Sequence, residues 1–258
     1  MEYKNLICPE FRVTVGGYEL NEGISVECFS SRESHADWAK VKLSPELQEY
    51  IQFTDLDESV IELGYEDDFE VLLVGSARTP LQNSSLELMI QDDMIKLQRL
   101  QIKASFLECR PQDIIRYILI SAGIEDYVID DTVYDLKKVF SIDQQNGLDA
   151  MQTINNFWGI KKDFFFRDQV FYWGTKPIQD DIYVLEENNS IIDLDKNLGV
   201  WKAETIGIPW IHHSQEIEVQ HSKYSGYGIV EKVIIRSDDK GFVRQSIYFV
   251  EEEECQTE

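Results

Sequence analysis

Apolar side chains recur at every second position along residues 11–15, 24–28 and 38–43, and the pair Gly16-Gly17 separates the first run from Tyr18, Glu19 and Leu20. Such spacing puts alternate side chains on opposite faces of a strand, and two glycines can take the positive φ of a hairpin turn. Residues 60–65 and 69–74 repeat the alternation around the acidic turn Glu66-Asp67-Asp68. Ser44-Pro45 ends the strand that precedes them. Residues 86–90 and 100–106 read as strands around a short helical stretch over 92–97, whose first acidic residues, Asp92 and Asp93, complement the helix dipole.

The period then changes. Pro111 suits a first helical position, and Ile114, Ile115, Ile118, Leu119 and Ala122 form one apolar stripe that Gly123 can end in a left-handed conformation. Leu148, Met151, Ile154, Phe157 and Trp158 predict a second helix ended by Gly159. Residues 160–166 and 170–173 predict a hairpin across Arg167-Asp168-Gln169. From Asp181 onward the chain alternates again, most clearly over 216–220, 228–235 and 246–249.

The expectation is an α+β, mostly β fold: two small β-barrel domains with a helix-containing α/β insertion between them. The boundaries are 1–85 for the first barrel, 86–180 for the insertion, which can lend strands to a barrel, and 181–250 for the second barrel. Residues 251–258, opening Glu251-Glu252-Glu253-Glu254, form an acidic mobile tail. No heptad, low-complexity tract or fixed-period repeat is present.

At 258 residues, with 43% hydrophobic and 12% aromatic side chains, the chain is globular and can bury a substantial core. Its 48 acidic residues against 24 basic give a net charge of −24. Nucleic-acid affinity rests mainly on Lys and Arg displacing counterions, so specific nucleic-acid binding is not expected, and an anionic membrane surface is disfavoured on the same ground. The excess serves solubility or lines a surface past which DNA slides without sticking. No apolar run approaches the roughly 20 residues of a membrane span. Met1-Glu2-Tyr3-Lys4 lacks the basic and apolar regions of a signal peptide, which predicts synthesis and folding in a cytoplasm. Cys8, Cys28, Cys109 and Cys255 have no paired spacing and read as reduced thiols.

The search for chemistry is short. No G-x-S-x-G occurs, and Lys223-Tyr224-Ser225-Gly226 only echoes it. Cys109 precedes a helix start, where a thiol pKa can fall, but a half-buried thiol at a strand end is the plainer reading. His212 and His213, adjacent on a strand or turn, would point apart, and no third ligand is spaced to join His213 and His221 on a zinc ion. His35 stands alone and is expected to be exposed. Acidic pairs such as Asp67-Asp68, Asp92-Asp93 and Asp130-Asp131 are expected to solvate turns or cap helices rather than flank a glycosidic bond. Trp158, Trp173, Trp201 and Trp210 could make a sugar-stacking platform, but each lies in an apolar pattern and reads as core or interface. No catalytic, cofactor-binding or metal-ligating residue is assigned, and the chain reads as a non-enzymatic scaffold.

One family gathers these patterns. The run 37–43, the acidic spacer, residues 60–65, and residues 69–75 closing on Ser76-Ala77 resemble the first barrel of tail-hub, or baseplate-hub, proteins of bacteriophages and phage-derived injection machines. Asp92 with Leu97, the helix from Pro111 to Gly123, and the helix ending Phe157-Trp158-Gly159 are similar to that family's insertion. Residues 215–249, with Gly226-Tyr227-Gly228-Ile229-Val230 and Gly241-Phe242, are similar to its second barrel. The resemblance implies a homotrimer whose six barrels form a pseudo-sixfold ring around a DNA channel. That ring joins a hexameric tail tube to a trimeric spike in the baseplate of a virion tail or contractile injection system, assembled in the bacterial host cytoplasm. Partners implied are sister copies, the tail tube protein, the spike or needle protein, other baseplate proteins and the tape measure. The alternatives are a carbohydrate- or receptor-binding tail module and, further off, a cell-wall hydrolase.

Overall fold

Alternation, caps and glycine turns become 18 strands and four helices among the described residues of the computed structural model, which are residues 6, 8–48, 50–66, 68–78, 87–237 and 241–252. In chain order the elements begin β1 (Pro9–Val15), β2 (Tyr18–Leu20), β3 (Ile24–Ser31), β4 (Trp38–Leu43), α1 (Pro45–Gln48), β5 (Glu58–Tyr65), β6 (Asp68–Arg78) and β7 (Glu87–Gln91). Next come α2 (Met94–Arg99), β8 (Gln101–Cys109), α3 (Pro111–Ser121), β9 (Tyr127–Ile129), β10 (Lys137–Asn146), α4 (Gly147–Trp158), β11 (Phe164–Arg167) and β12 (Val170–Trp173). The chain closes with β13 (Tyr183–Glu186), β14 (Ile191–Asn197), β15 (Val200–Thr205), β16 (Glu216–His221), β17 (Tyr224–Ser237) and β18 (Val243–Glu251). Met1 to Lys4, Asp67, Leu86, Glu253, Glu254 and Cys255, which entered the sequence reading, lie outside the described residues.

With 53% strand and 14% helix the class is α+β, mostly β. The chain divides into two compact units, Met1–Gln91 with Ile178–Glu258, and Asp92–Pro177. The first, the β unit, holds one 13-stranded sheet whose path runs β14-β15-β18-β17-β3-β4-β7-β6-β5-β1-β2, with β13 and β16 branching from β17. The two β regions expected as barrels meet in this sheet, and among the described residues no pairing closes either into a barrel.

β17 is what joins them. Its first residues pair with β16, its later residues with Glu27 to Ser31 of β3, and its other side with β18 over most of its 14 residues. A register shift between Val230 and Lys232 marks the handover. Inward positions alternate as the sequence requires: Val13, Val15, Val41, Ile61, Leu63, Ile90, Val219, Ile247 and Phe249 are all buried in one apolar core. Each such side chain stabilises the fold by about 1.5–3 kcal/mol relative to exposure.

A loop between β15 and β16 closes this core. Tyr65 donates from its hydroxyl to the Gly207 carbonyl, and burial pushes that phenol up to about 12. A side chain at Gly207 would find Val243 Cγ1 at 2.7 Å and Leu63 Cδ2 at 3.0 Å, so only glycine lets the loop pass between the N- and C-terminal strands.

The second unit packs α2, α3 and α4 against one face of the antiparallel β8–β10 ribbon. Ile114, Ile118, Met151, Ile154, Phe140 and Ile142 are buried there. The caps explain the helix limits. Asn146 accepts from the Asp149 amide at 2.8 Å before α4, and Gly159 ends α4 at φ 67. The Asp113 carboxylate accepts from the Arg110 amide at 2.9 Å before α3, and Gly123 follows it at φ 72. Three differences from expectation are local. α2 starts at Met94, two residues later than read, with Asp92 Oδ1 accepting from the Met94 amide at 3.1 Å. β11 starts at Phe164, and Asp168 (φ 49) and Gln169 (φ 66) alone make the turn to β12. β9 and β10 were not anticipated.

Candidate assembly surfaces

The structure brings together few of the residues examined for chemistry. His212 and His213 lie in the loop between β15 and β16, not on a strand. His213 is buried, its Nδ1 3.0 Å from Ser214 Oγ and its Nε2 3.8 Å from Asp37 Oδ2. Asp37 also accepts from Ser30 Oγ at 2.6 Å and from the Ser31 amide at 3.0 Å, which ties the β3–β4 loop. His221 serves a different carboxylate: its Nδ1 accepts from the Lys223 amide at 3.0 Å and its Nε2 is 3.7 Å from Glu187 Oε1. His213 and His221 therefore share no ligand. Among the described residues no three His, Cys, Asp or Glu side chains gather as a metal site would require. His35, expected exposed, is half-buried at φ 59.

Cys109 is a buried thiol at the end of β8, and desolvation pushes its pKa up, the opposite of activation. Cys28 is pushed up further by full burial beside Asp37 and Glu27. Asp92 and Asp93 belong to the start of α2, the latter 2.9 Å from Lys96 Nζ. Asp130 pairs with Lys162. The four tryptophans considered as a platform are packed against other side chains. Trp173 is buried, Trp158 packs on Phe140 and Phe157, Trp201 packs on Tyr224 and Phe249, and Trp210 Nε1 donates to Glu70 Oε1 at 2.9 Å. Glu251, read as the start of a tail, is the last residue of β18 and accepts from Lys196 and from Trp201 Nε1.

What stands out is the distribution of charge. The unit spanning Asp92–Pro177 carries 13 acidic and 11 basic residues of the chain's 48 and 24, which leaves 35 and 13 to the β unit. The net charges are −2 and −22, so nearly all the net negative charge belongs to the β unit. The total was legible in the composition; its concentration needed the unit boundary.

Two kinds of surface remain open. Among the described residues β14 pairs with β15 alone, β2 with β1 alone and β13 with β16 alone, so their outer edges end the sheet. On the β8–β10 ribbon, the face away from the helices carries the cross-strand pair Leu107 and Val139, 74% and 55% exposed. Beside it Ser105 and Ser141 share a hydrogen bond of 2.9 Å, and Lys103 Nζ lies 3.2 Å from Asp143 Oδ1. Together these residues make a small exposed apolar pair framed by polar partners.

The described residues thus form a broad β sheet interrupted in the chain by a helical unit. No family model and no curated protein sequence matches the chain. Solved structures do. The 43 kDa tail protein of prophage MuSo2 from Shewanella oneidensis aligns at a TM-score of 0.72 and 10% identity, over 94% of this chain and 98% of that one. A tail protein from Neisseria meningitidis aligns at 0.69 and 10% identity, over 95% and 97%. An Escherichia coli component of the type VI secretion system, described as structurally similar to the bacteriophage T4 tail proteins gp27 and gp5, aligns at 0.70 and 12% identity, over 94% and 77%. The chain has the fold of phage tail proteins. The resemblance read from its sequence extends, at the level of fold, over nearly its whole length.

Proposed function

We propose that the chain is a structural baseplate hub of a phage tail or related injection particle. Three copies surround the particle axis, their paired β regions making a pseudo-sixfold ring that joins a hexameric tube to a trimeric spike. The observation that carries this reading is the full-length likeness to the Shewanella tail protein, with neither chain left largely unmatched. Two features support it. Each chain contributes two β regions fused through β17, so three chains supply six. The β unit holds a net charge of −22, and an acidic wall repels the phosphates of passing DNA rather than binding them.

The role is structural, not enzymatic, and its partners are sister copies, the tube protein, the spike and neighbouring baseplate proteins. The packing of Trp158, Trp173, Trp201 and Trp210 against other side chains favours the hub over a carbohydrate platform. Electron cryo-microscopy of particles carrying a tagged copy tests the proposal. Density for the chain on the axis between tube and spike, in three copies, is expected; a peripheral position overturns it.

A further inference from the structure

Positive charge gathers on one face of the β unit's sheet. From β15 through β18, β17, β3 and β4 to β7, the side chains pointing away from the core stand in cross-strand rows. A middle row carries Ile234, Phe29 and Trp38, all half-buried, with the two rings stacked at 5.1 Å. To one side lie Lys202 and Lys232, both directly opposite Tyr248, with Lys232 Nζ 3.9 Å from the centre of its ring. To the other lie Arg244, Arg236 and Lys40, and Lys42 and the last residue of β6, Arg78, extend that side.

Among the described residues this face holds seven of the β unit's 13 basic side chains and three of its 35 acidic ones. The three carboxylates are matched within the face: Glu27 to Arg236 at 3.2 Å, Glu87 to Lys42 at 3.6 Å, and Glu204 to Lys202. Lys40, Arg78, Lys232 and Arg244 are the cations left over. Carboxylates resume at both flanks, with Asp193 and Asp195 on β14 and Glu58 on β5.

An apolar row between cations gains from leaving water at its centre, and its charged sides fix which partner fits and in what register. The fitting partner bears carboxylates, and the chain itself supplies such a surface. The rest of the β unit keeps 32 acidic residues against six basic ones. Two β units that meet elsewhere set carboxylate against carboxylate, whereas this face laid on the remainder of another unit attracts at contact. At physiological salt, charges beyond about 8 Å are screened, so the local match decides. Phosphate is the other chemistry that cations recruit. A nucleic acid, however, has no cation to set against the flanking carboxylates, and a second copy has.

We propose that this face docks a second copy of the chain, whose β-unit carboxylates settle on Lys40, Arg78, Lys232 and Arg244. The two patches are unlike, so the contact is heterologous and closes into a ring when the rotation permits. The inference deepens the hub reading, from which the sister copies come, but its test reads the face alone.

Charge reversal on the face, Lys232→Glu with Arg244→Glu, is expected to move self-association of the full-length protein to about tenfold higher concentration or more in light scattering. Lys138→Glu with Lys161→Glu, the same change of charge on two exposed lysines of the other unit, is expected to leave it in place. Denaturant midpoints show whether the variants fold; where the reversal does not, Lys232→Gln with Arg244→Gln decides, with a shift in the same direction. Carbodiimide coupling in a mixture of isotopically light and heavy chains is expected to join Lys40 or Lys232 to a carboxylate of the other chain's β unit. A parent that stays monomeric and yields no such amide overturns the proposal. So do equal shifts from the two reversals, which would make net charge the cause. A labelled DNA duplex that binds the parent but not the Lys232→Glu, Arg244→Glu variant assigns the face to nucleic acid and overturns it as well. If tagged particles hold the chain on the axis while the amides form elsewhere, the face fails and the hub reading stands; an off-axis position with the amides in place sinks the hub reading alone.

Discussion

Gln245 and Ile208 hold each other through two hydrogen bonds in a buried setting: the Ile208 amide donates to Gln245 Oε1 at 2.7 Å, and Gln245 Nε2 donates to the Ile208 carbonyl at 3.1 Å. A side-chain amide here stands in for a missing strand, satisfying a loop backbone that no ladder reaches. Gln245→Leu removes both partners, leaving the Ile208 amide a buried unpaired donor and its carbonyl only the long 3.4 Å bond from the Ile211 amide. The expected loss is about 2–4 kcal/mol, read from the denaturant midpoint. A loss below about 1 kcal/mol would mean that water replaces the amide.

The same loop is held sterically at Gly207. Gly207→Ala is expected to destabilise by about 1–3 kcal/mol through overpacking against Val243 and Leu63. In a Val243→Ala background the cost of adding that methyl should fall by about 0.5 kcal/mol or more, because the nearest obstructing atom is gone. A double-mutant cycle gives the coupling, and additivity would show that the obstruction lies elsewhere.

Gly159 poses the opposite problem, conformation without crowding. It ends α4 at φ 67, and nothing lies within 4 Å of the place a Cβ would occupy. Gly159→Ala should therefore cost about 1 kcal/mol from backbone strain alone, and Gly159→Asn less. Thermal unfolding of the two variants checks the order; equal losses would contradict it.

Asp130 should register as an acid-sensitive element. Burial would raise its carboxyl, but hydrogen bonds from Lys162 and Thr132 outweigh this and hold it below the ordinary 3.8. Because the folded value is depressed, the contribution to stability is complete above about pH 4 and is lost as pH falls through the lower folded value. Asp130→Asn should therefore be less stable than the parent at neutral pH, and the gap should narrow below about pH 4. Denaturant midpoints at pH 7, 5, 4 and 3 test this, and a gap that stays constant with pH would remove the pair from the account.

Much of the fold was readable from local signals. The β1–β2 hairpin, α3 and α4 appear where glycine turns, a first-turn proline and 3.6-residue stripes predicted them, because those signals act within a few residues. β10 escaped notice because polar pairs, Lys137-Lys138 and Gln144-Gln145, make up its two ends. A bulge between Ile142 and Gln145 leaves only Val139, Phe140 and Ile142 as its apolar mark. The joining of the two β regions was illegible for a different reason: alternation tells which face of β17 is buried, not that β3 rather than another strand lies beside it. The candidate surfaces follow suit. Leu107 and Val139 become an exposed apolar pair only once β8 and β10 are known to lie side by side.

β17 has a mechanical consequence. Since it is bonded to β3 and to β18 over overlapping stretches, a force that pulls Glu27–Ser31 along the strand axis away from Val243–Glu251 cannot peel one hydrogen bond at a time. It must slide whole ladders together, so the load is shared by many bonds at once. A sheet wired this way bears tension as one piece.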